Sequence, residues 1–218
     1  MRDKIHIVLV PAGAEFKAVK RGLSEVLNPP QLVAIPAGPK GLKTFLRGWK
    51  VPDLEGKGLL LMGLGGSLSV GHEVGKAIAL RKIWNAASDE VLFCDHKATE
   101  HIVQQLGIFS GVGVSCDRVI TLAKEKQQLG DRYSADVVDM ESAVLLQTLS
   151  VPVAIVRVVS DDCGGDLPDI ESAITPNGSL KPLQIALSFA RKPQAAIRLV
   201  RGSLIGLKQL EQLVCRLF

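Results

Sequence analysis

Val151-Pro152-Val153-Ala154-Ile155-Val156-Arg157-Val158-Val159 runs directly into Ser160-Asp161-Asp162. A short, β-branched, almost uninterrupted apolar run is the pattern of a strand buried on both faces, as in a parallel sheet. Val151–Val159 is therefore predicted as such a strand, with a serine and two carboxylates at its carboxyl end. Moving outward, the same alternation recurs. Ala135–Met140 reads as a strand and Glu141–Leu149 as a helix, Gly111–Ile120 as a long strand and Lys124–Gly130 as a short helix. Residues 74–84 read as extended, Val91–Asp95 as a strand and Lys97–Leu106 as a helix. Nearer the N-terminus, the strand Ile5–Val10 precedes Gly13–Leu27, where Phe16, Val19, Leu23 and Leu27 recur at helical spacing. After the Pro29-Pro30 break come a strand at Gln31–Ile35, a helix at Gly41–Trp49 and a strand at Gly58–Met62 that ends on Gly63-Leu64-Gly65-Gly66-Ser67. Residues 162–180 read as a polar loop, and from Pro182 the pattern is helical in two pieces, broken near Lys192-Pro193. Apolar strands alternating with helices predict an α/β, three-layer α/β/α domain spanning 1–218, with a mixed, mostly parallel central sheet. Ligands of such folds sit at the carboxyl ends of the strands. Residues 11–15, 63–67, 141 and 160–162 all fall at such ends.

Composition narrows the function. Of 218 residues, 47% are hydrophobic and 22% charged, which excludes intrinsic disorder. At 4%, aromatics are too few for a platform that stacks single-stranded nucleic acid, and a dispersed net charge of +4 is no nucleic-acid footprint. No uncharged run reaches the ~18 residues of a spanning helix. Met1-Arg2-Asp3-Lys4 leads straight into a strand, so no signal peptide and a cytoplasmic location are expected. Cys94, Cys116, Cys163 and Cys215 form no CxxC pair and read as reduced thiols, and His6, His72, His96 and His101 do not cluster with them at metal-ligand spacing. No metal is expected. Residues 181–218 hold seven basic residues against Glu211 alone, a net +6, which leaves −2 of the chain's +4 for residues 1–180. Within that basic segment, Ile197, Val200, Leu204, Leu207, Leu210 and Val214 follow one helical stripe. Such a helix packs on the body or on a neighbouring subunit, or it rests on an anionic membrane.

Each polar strand end admits two readings. Glu15 is a first-turn acid that complements a helix dipole, or a general base reaching into a cleft. Gly63–Ser67 is a tight turn, or a loop whose backbone approaches an anion or a sugar hydroxyl. Its spacing fails the dinucleotide pattern because Leu68 stands at the third glycine's place, which makes a nicotinamide-dependent enzyme a poor reading. Asp139 and Glu141 favour a helix N-terminus, or accept hydrogen bonds from a ribose. Asp161 and Asp162 head an acidic stretch continued by Asp166, Asp169 and Glu171, and this crowding predicts a raised proton affinity in the most buried carboxyl, as a general acid requires.

Four stretches together resemble the nucleoside phosphorylase/nucleosidase superfamily, in particular its methylthioadenosine/S-adenosylhomocysteine nucleosidase branch. Val8–Glu15 is similar to the family's opening strand and acid, and Met62–Leu68 to its Gly-Gly-Leu loop. Ala135–Ala143 (ADVVDMESA) is similar to the Val-Glu-Met-Glu-x-Ala signature, and Val156–Asp161 (VRVVSD) to the Arg-x-Ile-Ser-Asp signature. The resemblance implies cleavage of the N-glycosidic bond of a purine nucleoside. It implies Asp161 as the general acid at the departing base, Ser160 as its positioner and Glu15 as the base that activates water. It implies Glu141 on the ribose hydroxyls, Met140 under the sugar, and Gly65, Gly66 and Ser67 beside the nucleophile. The family's purine-stacking aromatic is missing from Ser115-Cys116-Asp117-Arg118-Val119, and Val119 and Ile120 are expected among the substrate-binding residues. Gly71-His72-Glu73-Val74 stands where Gly-Asp-Val-Val is common. The Gly-Asp-Pro-x-Arg phosphate signature is absent, so either water or phosphate as co-substrate is open, with Arg118, Arg21 and Lys17 as candidate cations. No cofactor and a homodimer or larger assembly are implied. The run VDMES, then RVVSD, then Leu-Pro and Asn177-Gly178, then Arg191-Lys192-Pro193 further resembles the hopanoid-associated phosphorylase-like proteins, which implies a lipid-linked adenosine such as adenosylhopane and a peripheral membrane contact through 194–218. The contrasting reading is a non-catalytic nucleoside- or lipid-binding relative of the same fold.

Overall fold

A computed structural model describes residues 5–52, 54, 58–168 and 182–218. Most of the predicted loop at 162–180 lies outside these residues. In chain order the elements are β1 (Ile5–Pro11), α1 (Ala14–Leu23), β2 (Gln31–Ile35), α2 (Pro39–Gly48), β3 (Gly58–Ser67), β4 (Ala77–Asn85) and β5 (Glu90–Phe93). There follow α3 (His96–Leu106), β6 (Phe109–Ser115), α4 (Ala123–Tyr133), β7 (Val137–Asp139), α5 (Ser142–Thr148), β8 (Val153–Asp161), α6 (Pro182–Arg191) and α7 (Pro193–Leu217).

The strands form one mixed, mostly parallel sheet of eight strands, as the alternation predicts. The strand that decides the fold, β8, is central: it pairs in parallel with β3 and antiparallel with β4. The pairings β4–β6, β6–β7 and β7–β3 then lead back to β3, so β3, β8, β4, β6 and β7 close a circuit. From this circuit β1 and β2 continue outward beyond β3, and β5 beyond β4.

Side chains alternate between faces, and both faces are buried, which is why the strands read as continuous apolar runs. Val8, Val10, Leu60, Met62, Ala154, Val156 and Val158 pack with Val19 and Leu23 of α1, Ile102 and Leu106 of α3, and Leu210, Leu213 and Val214 of α7. Their neighbours Ile7, Leu9, Leu59, Leu61, Val153 and Ile155 pack with Leu42 and Leu46 of α2 and with Ala143 and Leu145 of α5.

Several element boundaries differ from the periodicity, three of them by four residues or more. Helix α1 ends at Leu23, and Leu27 is exposed. Strand β6 ends at Ser115, short of Ile120. Strand β3 continues through the glycines to Ser67, so Gly63–Ser67 is strand and not a tight turn or loop. Its glycines are there because neighbours crowd that stretch: a Cβ on Gly65 would stand 2.7 Å from Val137 Cγ2 and 3.0 Å from the Val138 carbonyl oxygen.

The basic C-terminal helix divides. Leu210 and Val214 are fully buried, whereas Ile197, Val200 and Leu204, half of the predicted stripe, are exposed. The helix approaches β8 through Gly202, where a Cβ would lie 2.0 Å from the Ser160 carbonyl oxygen. Backbone on both sides leaves no room to yield, so Gly202→Ala is expected to cost about 1–3 kcal/mol of stability, the usual range for overpacking. A urea unfolding midpoint equal to the native one would refute that contact.

Candidate active site

The carboxyl ends of β1, β3 and β8 open onto a cavity of about 280 Å³. Its lining brings together Glu15, Gly65, Gly66, Val119, Ile120, Met140, Glu141, Ser160 and Asp161, from stretches as far apart as α1 and β8. Of the expected site residues, Ser67 alone does not line it: its hydroxyl is buried and donates to the Ser69 carbonyl at 2.7 Å. Lys17 and Arg21 are also outside the lining, and Arg21 instead pairs with Glu211 of α7 at 2.8 Å. Arg118 lines the cavity and is tied to Glu125 at 2.5 Å. His72, in the departing Gly71–Val74 stretch, is buried away from the cavity and paired with Asp136 at 2.7 Å.

Glu15 reaches the cavity from the first turn of α1, and the Leu64 N–H donates to its Oε1 at 2.5 Å. Burial raises its pKa to about 7; Glu141 adds to the rise, while the Leu64 hydrogen bond and Arg157 oppose it. Room for this carboxylate is made by Gly63, where a Cβ would stand 2.9 Å from Glu15 Oε1 and 2.4 Å from Arg157 Nη1.

Glu141 stands just before α5. The Gly38 N–H donates to its Oε1 at 2.8 Å, and Arg157 Nη2 donates to its Oε2 at 3.2 Å. Burial pushes its pKa up, and the Arg157 guanidinium opposes the push. Its neighbour Asp139 serves the helix start instead, accepting from Ser142 and from Arg157 Nε at 2.8 Å. Arg157, fully buried in β8, thus ties both carboxylates together from beneath the cavity. A single arginine in an apolar strand carries no local signal of this role; only its meeting with Asp139 and Glu141, 18 and 16 positions earlier, gives one.

Asp161 is aimed by an irregularity in β8. Gly65 pairs with Val159 and Gly66 with Asp161, so Ser160 is an extra residue, a bulge of the kind that re-aims a side chain. Asp161 Oδ1 accepts from the Ser160 hydroxyl at 2.7 Å. Its Oδ2 accepts from Lys126 Nζ, a residue of α4 that is fully buried. Lys126 also donates to the Asp162 carbonyl at 3.1 Å, and the Asp162 side chain pairs with Arg198 of α7 at 2.7 Å. The acidic crowding expected around Asp161 is therefore offset by two cations from other helices. Neither stood out in the sequence, because a lysine on a polar helix reads as solvated. Asp166 caps α4 by accepting from the Ala123 N–H at 2.9 Å, and Asp169 and Glu171 lie outside the described residues. Burial pushes the thiols of Cys94 and Cys116 up to about 12, so neither is a nucleophile near neutral pH.

A mixed α/β sheet with carboxylates from β1–α1, β7–α5 and β8 facing one cavity defines an arrangement for chemistry on a small polar ligand. The sequence matches no protein-family model and no curated protein. Solved structures do resemble it. The chain is similar to futalosine hydrolase of Helicobacter pylori at 10% identity, over 97% of this chain and 95% of that one, with a TM-score of 0.69. It is similar to 5′-methylthioadenosine nucleosidase of Arabidopsis thaliana at 12% identity, over 97% and 93%, with a TM-score of 0.68. It is also similar to 5′-methylthioadenosine/S-adenosylhomocysteine nucleosidase of H. pylori, solved with butyl-thio-DADMe-Immucillin-A, at 13% identity over 95% and 96%, with a TM-score of 0.64. The chain has the fold of these solved structures.

Proposed function

We propose that this protein is an enzyme that cleaves the N-glycosidic bond of a purine nucleoside, with water as nucleophile. The reading is supported above all by the meeting of Glu15, Glu141 and Asp161 around one cavity. Breaking a ribosyl C–N bond builds positive charge on the sugar and negative charge on the base. Glu141, held by Gly38 and Arg157, presents a carboxylate to the ribose hydroxyls and the developing cation. Asp161, fixed by Ser160, stands where the departing base takes up a proton. Met140 packs against the sugar, and Val119 and Ile120 against the base. Glu15 takes the proton of the attacking water.

A base with a pKa near 7 must be ionised to accept that proton, so kcat/KM rises with pH through about 7. Glu15→Gln is expected to abolish this rising limb, and an unchanged limb would remove Glu15 from the role. Base release from a panel of adenine and 6-oxopurine nucleosides, with and without phosphate, tests the reaction itself. Release that requires phosphate would replace water by phosphorolysis, and binding without release would favour the non-catalytic relative.

Helix α7 supports a lipid tail as the 5′ substituent. Leu199 of that helix lines the cavity, while Ile197, Val200 and Leu204 are exposed beside the basic Lys192 and Arg201. An apolar row with flanking cations next to the cavity supports a lipid-linked nucleoside taken from an anionic membrane surface. The double variant Ile197→Ser, Leu204→Ser changes exposed positions only. It is expected to lose co-sedimentation with phosphatidylserine vesicles and to keep turnover of a water-soluble nucleoside. Undiminished sedimentation would leave the substrate soluble.

A further inference from the structure

Lys126 belongs to none of the four stretches that carry the family resemblance, yet among the described residues it is the cation paired with Asp161. Its side chain has no exposure, and its ammonium touches Asp161 Oδ2 and the Asp162 carbonyl oxygen. It does not line the cavity; it stands behind the wall, its Cε 3.5 Å from where a Cβ on Gly66 would be. Asp161 Oδ2 lies 2.8 Å from that same Gly66 position, and Asp161 itself lines the cavity.

The buried ion pair gives the charge state. Lys126 Nζ carries donors only, so Asp161 Oδ2 accepts from it, while the Ser160 hydroxyl stands 2.7 Å from Oδ1 and 3.3 Å from the Gly65 carbonyl oxygen. A carboxylate has no proton for a leaving base. A buried ammonium has one, and it is tolerated there only while its counter-ion stays charged.

We propose that Lys126 is a positioning residue that holds Asp161 as a carboxylate in the free protein and supplies, through it, the proton taken by the departing base. This rests on the glycosidic-cleavage reading above. As the C–N bond breaks, its electron pair leaves with the base. One proton passes from Lys126 Nζ to Asp161 Oδ2 and on to the base, leaving a neutral amine beside a carboxylate. Water forms the new C–O bond and gives its proton to Glu15. The amine recovers its proton from solvent after release. The other charged groups around the pair are themselves paired. Asp162 holds Arg198 of α7, Arg118 holds Glu125 of α4, and across the cavity Arg157 is shared by Asp139 and Glu141, with Glu15 alongside.

Two measurements on the full chain test this. The first is the carboxyl 13C signal of Asp161 at pH 7 in the free protein, assigned by its disappearance in Asp161→Asn. Wild type and Lys126→Arg are expected to show a carboxylate, and Lys126→Met a carboxylic acid. A protonated Asp161 in wild type, or a carboxylate in Lys126→Met, overturns the proposal; the wild-type spectrum decides even if the Met variant does not fold. The second is the pH profile. Lys126→Met has only the proton of Asp161 itself, so its kcat/KM is expected to fall about tenfold per pH unit on the alkaline side, where wild type stays level. Profiles of the same shape overturn the relay, because a merely structural lysine would lower activity evenly across pH. A wild-type protein that releases no base from any nucleoside would instead sink the glycosidic reading and leave the spectrum to decide the charge state.

Discussion

Asp161→Asn is expected to lower turnover at least ~100-fold while the nucleoside still binds, since general-acid assistance typically supplies 10²–10⁴-fold. The amide keeps the size of the carboxyl and can still meet the Ser160 hydroxyl, so the β8 bulge and the cavity wall survive. What is lost, on the proposed reading, is the group that carries a proton to the base. The loss should therefore fall on kcat and not on KM. Substrates whose base leaves readily without a proton should be spared, and the ratio of turnover between good and poor leaving groups should widen in the variant. Asparagine also removes the negative partner of Lys126, so the buried ammonium is left without a counter-ion, and some loss of stability accompanies the change. Steady-state kinetics with an isotherm for substrate or product binding checks both parts. Wild-type turnover in Asp161→Asn would take this residue out of the chemistry.

Arg157→Met is expected to cost about 3–5 kcal/mol, the range for removing one partner of a buried ion pair. That is a large share of the ~5–15 kcal/mol that holds a typical domain together. Arg157 is fully buried and bonds to Asp139 and Glu141, so methionine fills its volume but leaves two carboxylates without their cation. The penalty has a predictable pH dependence. Burial already raises the pKa of Glu141, and Arg157 opposes that rise. Without the arginine, the folded variant holds the Glu141 proton more tightly than the unfolded chain does. The variant then loses further stability as pH rises through the titration of the folded group, and the gap from wild type narrows on acidification. Urea unfolding at several pH values checks both magnitude and slope. A pH-independent deficit would show that Arg157 acts through packing alone.

Much of the fold was legible locally. Apolar runs such as Ile5–Val10 and Val151–Val159, in a chain that alternates such runs with helical spacing, require strands buried on both faces between helices. Glu15, Glu141 and Asp161 each stood at a predicted strand end, so their approach to one rim followed from the alternation alone. Other features depend on contacts between distant residues. Lys126 meets Asp161 across 35 positions of chain, and nothing about a lysine on a polar helix distinguishes one that turns inward. The glycines of β3 looked like a turn because glycine interrupts strand periodicity, yet they are strand because Val137, Arg157 and Asp161 crowd them. The stripe on α7 was continuous in sequence and is only half buried, because the earlier part of the helix meets the body through Ala196, Gly202 and Gly206 instead.

Periodicity by itself thus determined the layers of this protein and the end of the sheet at which its acids gather, since burial on two faces leaves its mark on every residue of a strand. Tertiary structure alone decided the closed strand circuit, the bulge at Ser160 and the cations set behind Asp161 and beneath Glu141, since each arises where separate elements meet and is recorded in neither one.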